Sequence, residues 1–340
     1  MNTKTEIDRH KLFEKIWTEN LEPALVGLQE EKHKAKKMKI TYFSIGFVLF
    51  ATIIALQTLA KDFLTIAIII CLSSLVLLLL RRLIKNNKNT YNIQYKEKIF
   101  GKILNHTELK WSYLHRGDHI FSFKLRDMGR VKDDAQYSTS FRESGLYSGY
   151  TYVIPDDVFS VMWNSSKIVM SEMRVIKETT SSKGERHIET VFNGFFIDIN
   201  LVKSFDGETY VLTNNDWGYV AGGYDVPFSD RRIEEVDLEW NDFEKFLRVR
   251  ASNQREAREI FTPDFMAMLH DWWNVHKKDL RFSFKGSHIY ITIPSKLDFE
   301  PSIFRSNEKE KQYIQEHLEL LWFIEEIIRM LILKNNLIKI

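Results

Sequence analysis

A single cysteine, Cys71, occurs in 340 residues, so no internal disulfide can form and no Cys/His ligand set for structural zinc exists. Glycine and proline are scarce too, at 14 and 6 residues. That is about half their usual share and excludes collagen-like, linker-rich and low-complexity disordered chains. An excess of one charge is also missing: 48 Lys+Arg face 46 Asp+Glu, a formal net charge of +2. No global attraction to nucleic acid or acidic partners follows, and any basic surface must be local. Phosphate-loop (GxxxxGK[ST]), dinucleotide (GxGxxG) and HExxH patterns are all absent. What remains is a chain with 44% hydrophobic and 28% charged residues, long enough for one large domain or two modest ones. Its mean hydropathy of −0.27 averages over one very uneven region.

That region holds two charge-free runs. The first, residues 40–60, reads ITYFSIGFVLFATIIALQTLA, and the second, residues 63–80, reads FLTIAIIICLSSLVLLLL. At 1.5 Å per residue the first covers about 30 Å, the hydrocarbon thickness of a bilayer, and the second is slightly shorter. Runs without a polar face are difficult to bury in a small domain, whereas lipid accepts them on every side. Lys61 and Asp62 alone separate them, which predicts an antiparallel transmembrane hairpin. Lys32, Lys34, Lys36, Lys37 and Lys39 precede the first run, and Arg81, Arg82, Lys85 and Lys88 follow the second. The positive-inside rule then predicts a multi-pass protein of the inner (cytoplasmic) membrane with both termini in the cytoplasm. Nearly forty residues, rich in charge, precede the first run and no small-residue cleavage site follows it, so the run is expected to stay as an anchor and not to be removed as a signal peptide. Ala51 and Ala55, and Ala67, Cys71 and Ser74, form small-residue stripes where the helices are expected to meet. Homo-oligomerisation through the same faces is the alternative use. No ionisable group interrupts either run, which argues against an ion or proton pathway.

Around the hairpin, residues 1–37 place Ile7, Phe13, Ile16, Trp17, Leu21 and Leu25 near helical spacing and read as an amphipathic cytoplasmic helix. It either packs on the protein itself or lies on the lipid surface. Residues 38–82 form the hairpin, and residues 83–104 read as a polar juxtamembrane helix. Residues 105–340 are expected to form a cytoplasmic domain with its own core, with subdomains near 105–215 and 240–340. HIFSFKL, KIVMSEMRVIKE, RHIETVFNGFFIDINL and TYVLT alternate as strands, the middle two forming a hairpin across SSKG. FEKFLRVRAS is a further strand, and NQREAREIF and TPDFMAMLHDWWNVHKK are helical. Thr262 is placed as N-cap of the latter with Pro263 at the first helical position. LRFSFKGSHIYITIP forms a hairpin around Lys285-Gly286-Ser287. A last helix near 307–334 aligns Ile314, Leu318, Leu321, Ile324, Ile328 and Leu331 on one face. The predicted class is α+β: a two-helix transmembrane hairpin plus a domain of antiparallel β-sheet with packed helices.

Chemistry-bearing residues are sparse. His115 and His119 flank a turn glycine and so do not share a helix face. His270, Asp271 and His276 lie on a helix, where a surface or core role outweighs that of a base. His187 and Glu189 share a strand face without a nucleophile. No catalytic residue, metal site or cofactor is assigned. The loop NNDWGYVAGGYDVPF is the most distinctive irregular segment, and its Trp217, Tyr219, Tyr224 and Phe228 are the candidate partner-binding side chains. Arginines among 231–258 alternate with glutamates, a solvated mixed-charge surface and not a nucleic-acid site.

The ordered motifs SGL at Ser144 to Leu146, Asp157, Glu172, VFNGFFIDINLVKSFDGETYVL from Val191 to Leu212 and FEKFLRVRASNQREAREIFTPDFMAML from Phe243 to Leu269, then the hairpin through Tyr290, carry a family resemblance. The chain resembles a bacterial family of two-span membrane proteins known as domain of unknown function 3137. The resemblance implies an inner-membrane location and transfers no catalytic residue. The expected function is therefore a protein-binding or scaffold module held at the inner membrane face, with membrane lipid and a protein as partners. A lipid-surface sensor or an unrecognised membrane-anchored hydrolase or transferase is the alternative.

Overall fold

The computed structural model describes residues 3–59, 63–114, 135–213, 232–297 and 299–334. In chain order the helices are α1 (Thr3–Ile16), α2 (Glu22–Val26), α3 (Gln29–Leu59), α4 (Phe63–Tyr95), α5 (Gly101–Asn105), α6 (Ala135–Glu143), α7 (Asn241–Glu244), α8 (Gln254–Ile260), α9 (Pro263–His276) and α10 (Asn307–Arg329). The strands are β1 (Ser112–Leu114), β2 (Tyr152–Trp163), β3 (Ser166–Thr180), β4 (Arg186–Asn200), β5 (Thr209–Thr213), β6 (Glu234–Glu235), β7 (Leu247–Ala251), β8 (Arg281–Lys285) and β9 (His288–Pro294). They form two compact units. One comprises Lys11–His106 with Phe299–Ile314, the other Met1–His10, Thr107–Asp298 and Gln315–Ile340.

The first unit is helical. Pro23 is the second residue of α2, in the first turn, where a missing N–H is tolerated. α3 and α4 run antiparallel: a Cβ at Gly46 would sit 3.8 Å from Leu77 Cδ2, and Asn87 Nδ2 lies 2.9 Å from Met38 Sδ. Over Gln29–Ala55 α3 is long and apolar enough to cross a membrane, and the most apolar part of it is not buried in the protein. Phe43, Phe47, Val48, Phe50 and Ile54 are exposed on α3, as are Leu72, Leu75, Leu78 and Leu79 on α4. Exposed apolar patches of this kind mark surfaces that meet lipid or another protein. Gly46 opens a shallow apolar groove between Phe43, Phe47 and Phe50 of α3 and Leu77 of α4.

Beyond the apolar stretch α4 passes through a π-helical turn, Lys96–Phe100, into α5. This segment is not merely a polar exit from the bilayer. Tyr91, Tyr95, Ile99, Phe100 and Ile103 are buried, with the Phe100 ring edge-on to Phe299 at 4.7 Å. Phe13, Ile16, Trp17 and Leu21 of the N-terminal amphipathic segment are likewise buried. Its apolar face therefore packs on protein and is not free to lie on lipid.

The second unit is built on a sheet of nine described strands in the order β1-β2-β3-β4-β9-β8-β5-β7-β6, with every recorded pairing antiparallel. β3 and β4 form the long hairpin expected across SSKG, and β8 and β9 turn at Gly286, whose φ of 57° suits glycine. Strands from both 105–215 and 240–340 join this one sheet, because β4 pairs with β9 and β5 lies between β8 and β7.

Over β4, β9 and β8 one sheet face is apolar at its centre. Phe195, Ile197 and Ile199 stand opposite Ile293, Ile291 and Ile289 and are fully buried with Phe282 and Phe284. α9 covers them. Thr262 accepts from Phe265 N–H and Pro263 opens the helix, as the sequence predicts, and the Phe265 ring meets Phe282 edge-on at 6.1 Å. Trp272 of α9 then stacks on Phe323 of α10 at 4.4 Å. Leu318, Leu321, Ile324 and Ile328 of α10 are buried on the stripe read from spacing. The buried stripe of α10 is not all apolar. Glu325 is buried and accepts from the N–H groups of Glu108 and Leu109 and from Trp111 Nε1.

Candidate functional site

The other sheet face is divided. Towards β2 and β3 it is an aromatic and aliphatic cluster of Phe141, Tyr147, Val175, Phe192 and Phe196, covered by α6. The SGL motif makes this possible. Gly145 takes φ 66° after α6, Ser144 Oγ donates to Phe141 C=O at 2.7 Å, and the Leu146 carbonyl accepts from Arg281 Nη1 at 3.1 Å. Asp157, another residue of the resemblance, is fully buried and accepts from the Tyr113 hydroxyl at 2.8 Å.

Towards β8 and β9 the same face becomes polar. Asp198 of β4 is in register with Tyr290 of β9, two residues along from Asn200 opposite His288 and on the same face. His288 Nδ1 lies 2.7 Å from Asp198 Oδ1, and its imidazole stacks on the Tyr290 ring at 5.3 Å with 7° between planes. Tyr290 stacks in turn on Phe196. The Asp198 hydrogen bond raises the His288 pKa above its ordinary value, against the opposing effect of burial, and the charges of Asp198 and Glu143 add to it. Burial raises the Tyr290 phenol, helped by the same two carboxylates. Nearby, burial pushes Tyr147 up to about 12, and Arg281 stands 4.3 Å over its ring while holding Asp279 at 2.7 Å. Ser283, in register with Tyr290 on β8, is fully buried with an Oγ that makes no hydrogen bond.

Chemically, Asp198 fixes the imidazole and stabilises its protonated form, as an orienting carboxylate does for a base. A nucleophile activated by His288 is not present among the described residues, since the Ser283 hydroxyl is unbonded. The arrangement is a half-exposed, pH-sensitive donor and acceptor pair on a rigid sheet.

The residues singled out from sequence are placed as follows. Trp217, Tyr219, Tyr224, Phe228, His115 and His119 lie outside the described residues. Ala51, Ala55, Cys71 and Ser74 are exposed and Ala67 is half-buried. The His270 ring lies 5.3 Å from the rings of both Trp240 and Phe246, and His276 packs tilted against Trp272 at 4.6 Å. His187 and Glu189 are exposed near the tip of the β3–β4 hairpin. Arg248 and Arg255 pair with Glu235 and Glu259 at the surface. No group of three His, Cys, Asp or Glu converges among the described residues. Asp198 and His288 escaped the sequence reading because each is an ordinary polar position in an alternating strand. The available signal was that DIN and SHIY both place polar residues at alternate positions beside long apolar runs.

Residues 190–333 match the family described as "Protein of unknown function (DUF3137)". The match takes in most of β4, all of β9 and α10, and the Asp198–His288 pair. No curated protein matches the chain. Among solved structures, the crystal structure of the mycobacterial trehalose monomycolate transport factor A, TtfA, aligns at 7% identity over 63% of this chain and 88% of that chain, with a TM-score of 0.29.

Proposed function

We propose that the protein is a membrane-anchored binding module: α3 and α4 cross the inner membrane as a hairpin, both termini are cytoplasmic, and the sheet domain holds a protein partner at the membrane face. The observation that carries the anchor is the exposed apolar surface shared by the two helices, from Phe43 to Ile54 and from Leu72 to Leu79. Lys32, Lys34, Lys36, Lys37 and Lys39 in the first turns of α3 and the Arg81, Arg82, Lys85 and Lys88 group in α4 support the orientation. Burial of Phe13 and Trp17 favours this reading over a lipid-surface sensor that uses the N-terminal helix. The polar sheet face around Asp198 and His288 is the candidate docking surface, together with the segment between β5 and β6 that carries Trp217, Tyr219, Tyr224 and Phe228. The test replaces Asp198, His288 or Trp217 in turn by a photo-crosslinking amino acid in the full chain in cells, with Met162, exposed on β2, as control. One partner adduct shared by the first three positions and missing at Met162 supports the module. Adducts that do not distinguish these positions from Met162 overturn it.

A further inference from the structure

Residues 299–305 form a segment built into the helical unit at both ends. At the start, the Glu300 carboxylate takes the Lys96 ammonium at 2.6 Å, with the lysine side chain wholly buried, and accepts from Asn92 Nδ2 at 3.0 Å. The Glu300 carbonyl accepts from the Tyr313 hydroxyl at 3.2 Å. At the end, the Arg305 carbonyl accepts from Lys32 Nζ at 2.8 Å, and the Arg305 guanidinium bonds Glu310 at 3.1 Å while stacking 3.5 Å above Tyr313. Lys96 and Glu310 are fully buried, and each must recover its lost hydration from a partner. Phe299 and Ile303 turn inward and are 1% and 5% exposed; Phe304 turns outward and is 50% exposed.

The position of Phe304 along the hairpin is what gives it meaning. Its ring lies 4.8 Å from Lys39 Nζ. Lys39 is the last charge before the uncharged run that begins at Ile40, one residue or about 1.5 Å along the helix axis. On α4, Arg81, Arg82 and Lys85 fall between Leu77, opposite Gly46, and Asn87, opposite Met38. Both helices therefore change from apolar to basic at this level, where aromatic rings and snorkelling lysines favour the headgroup layer.

We propose that residues 299–305 are an interfacial loop that sets Phe304 into the headgroup layer of the bilayer, beside Lys39 and the basic turn of α4. The proposal rests on the reading that α3 crosses the membrane. A segment some 260 residues beyond Lys39 in sequence thereby becomes a third point of membrane contact, with anionic lipid as the favoured surface.

The test uses the full chain with Cys71→Ala, carrying one cysteine in place of Phe304, Phe47 or Met162. Each is labelled with an environment-sensitive fluorophore in vesicles of phosphatidylcholine and phosphatidylglycerol. Spin-labelled lipids then quench from the headgroup or from the end of the acyl chain. Position 304 should be quenched more by the headgroup label, position 47 more by the chain-end label, and position 162 by aqueous iodide alone. If position 304 behaves like 162 while 47 is quenched by lipid, the interfacial loop is overturned and the anchor stands. If 47 also behaves like 162, the anchor reading falls and takes this proposal with it.

Discussion

At His288 the protein carries a charge whose stability depends on pH in a defined direction. Its folded-state pKa is raised, chiefly by the Asp198 hydrogen bond. The contribution is therefore fully present below the unfolded value of about 6.5 and is lost as pH rises through the higher folded value. The thermal midpoint of the wild type should fall between about pH 6 and 8, and His288→Gln should flatten that slope. Asp198→Asn should return the imidazole titration, followed by NMR, towards the ordinary histidine range. An unchanged titration in Asp198→Asn would show that the pair is not the cause. Gly194 makes a second prediction at this scale. A Cβ there would lie 2.2 Å from the Ile293 carbonyl and 2.7 Å from Ser295 N, both backbone atoms that cannot rotate away. Gly194→Ala should lower stability by about 1–3 kcal/mol or more, read from denaturant unfolding in detergent.

At the scale of elements, the foot of the hairpin is tied by one buried acid. Glu310, 1% exposed at the start of α10, takes Arg305, the Tyr95 hydroxyl of α4 and the Lys32 ammonium near the start of α3. Removing it leaves Arg305 and Lys32 without their carboxylate, and loss of one partner of a buried pair costs about 3–5 kcal/mol. Glu310→Ala should destabilise by that order in thermal unfolding, whereas Glu19→Ala, at an exposed position, should change nothing measurable. Elements of this kind were only half legible in the sequence. Period-two alternation marked β3, β4, β8 and β9, and Thr262-Pro263 marked the start of α9, because each depends on neighbours a few residues away. The pairing of β4 with β9 and the place of β5 between β8 and β7 depend on which distant faces fit, so no local pattern carries them. Lys96 and Glu310 look in sequence like any solvated charge on a helix. Only the fold shows that they are buried, and the Asp198–His288 pair, 90 residues apart, was hidden in the same way.

At the scale of the whole molecule, the question is whether the chain crosses the bilayer once or twice. α3 alone would leave the segment after it on the far side, while α3 and α4 together return it to the cytoplasm. Leu72 and Leu75 stand near the middle of the second apolar run and are 58% and 54% exposed, so they face lipid if α4 spans. An arginine at the centre of a span opposes insertion by about 2.5–3.5 kcal/mol on translocon-based scales. Replacing both leucines should therefore push α4 out of the membrane without touching α3. With alkaline phosphatase, active only outside the cytoplasm, fused after Ile340, the wild-type fusion should be inactive. Leu72→Arg with Leu75→Arg should turn it on, because a single remaining span carries the reporter across. An active wild-type fusion would mean that α3 crosses alone, and the exposed apolar side of α4 would then need a protein partner to cover it.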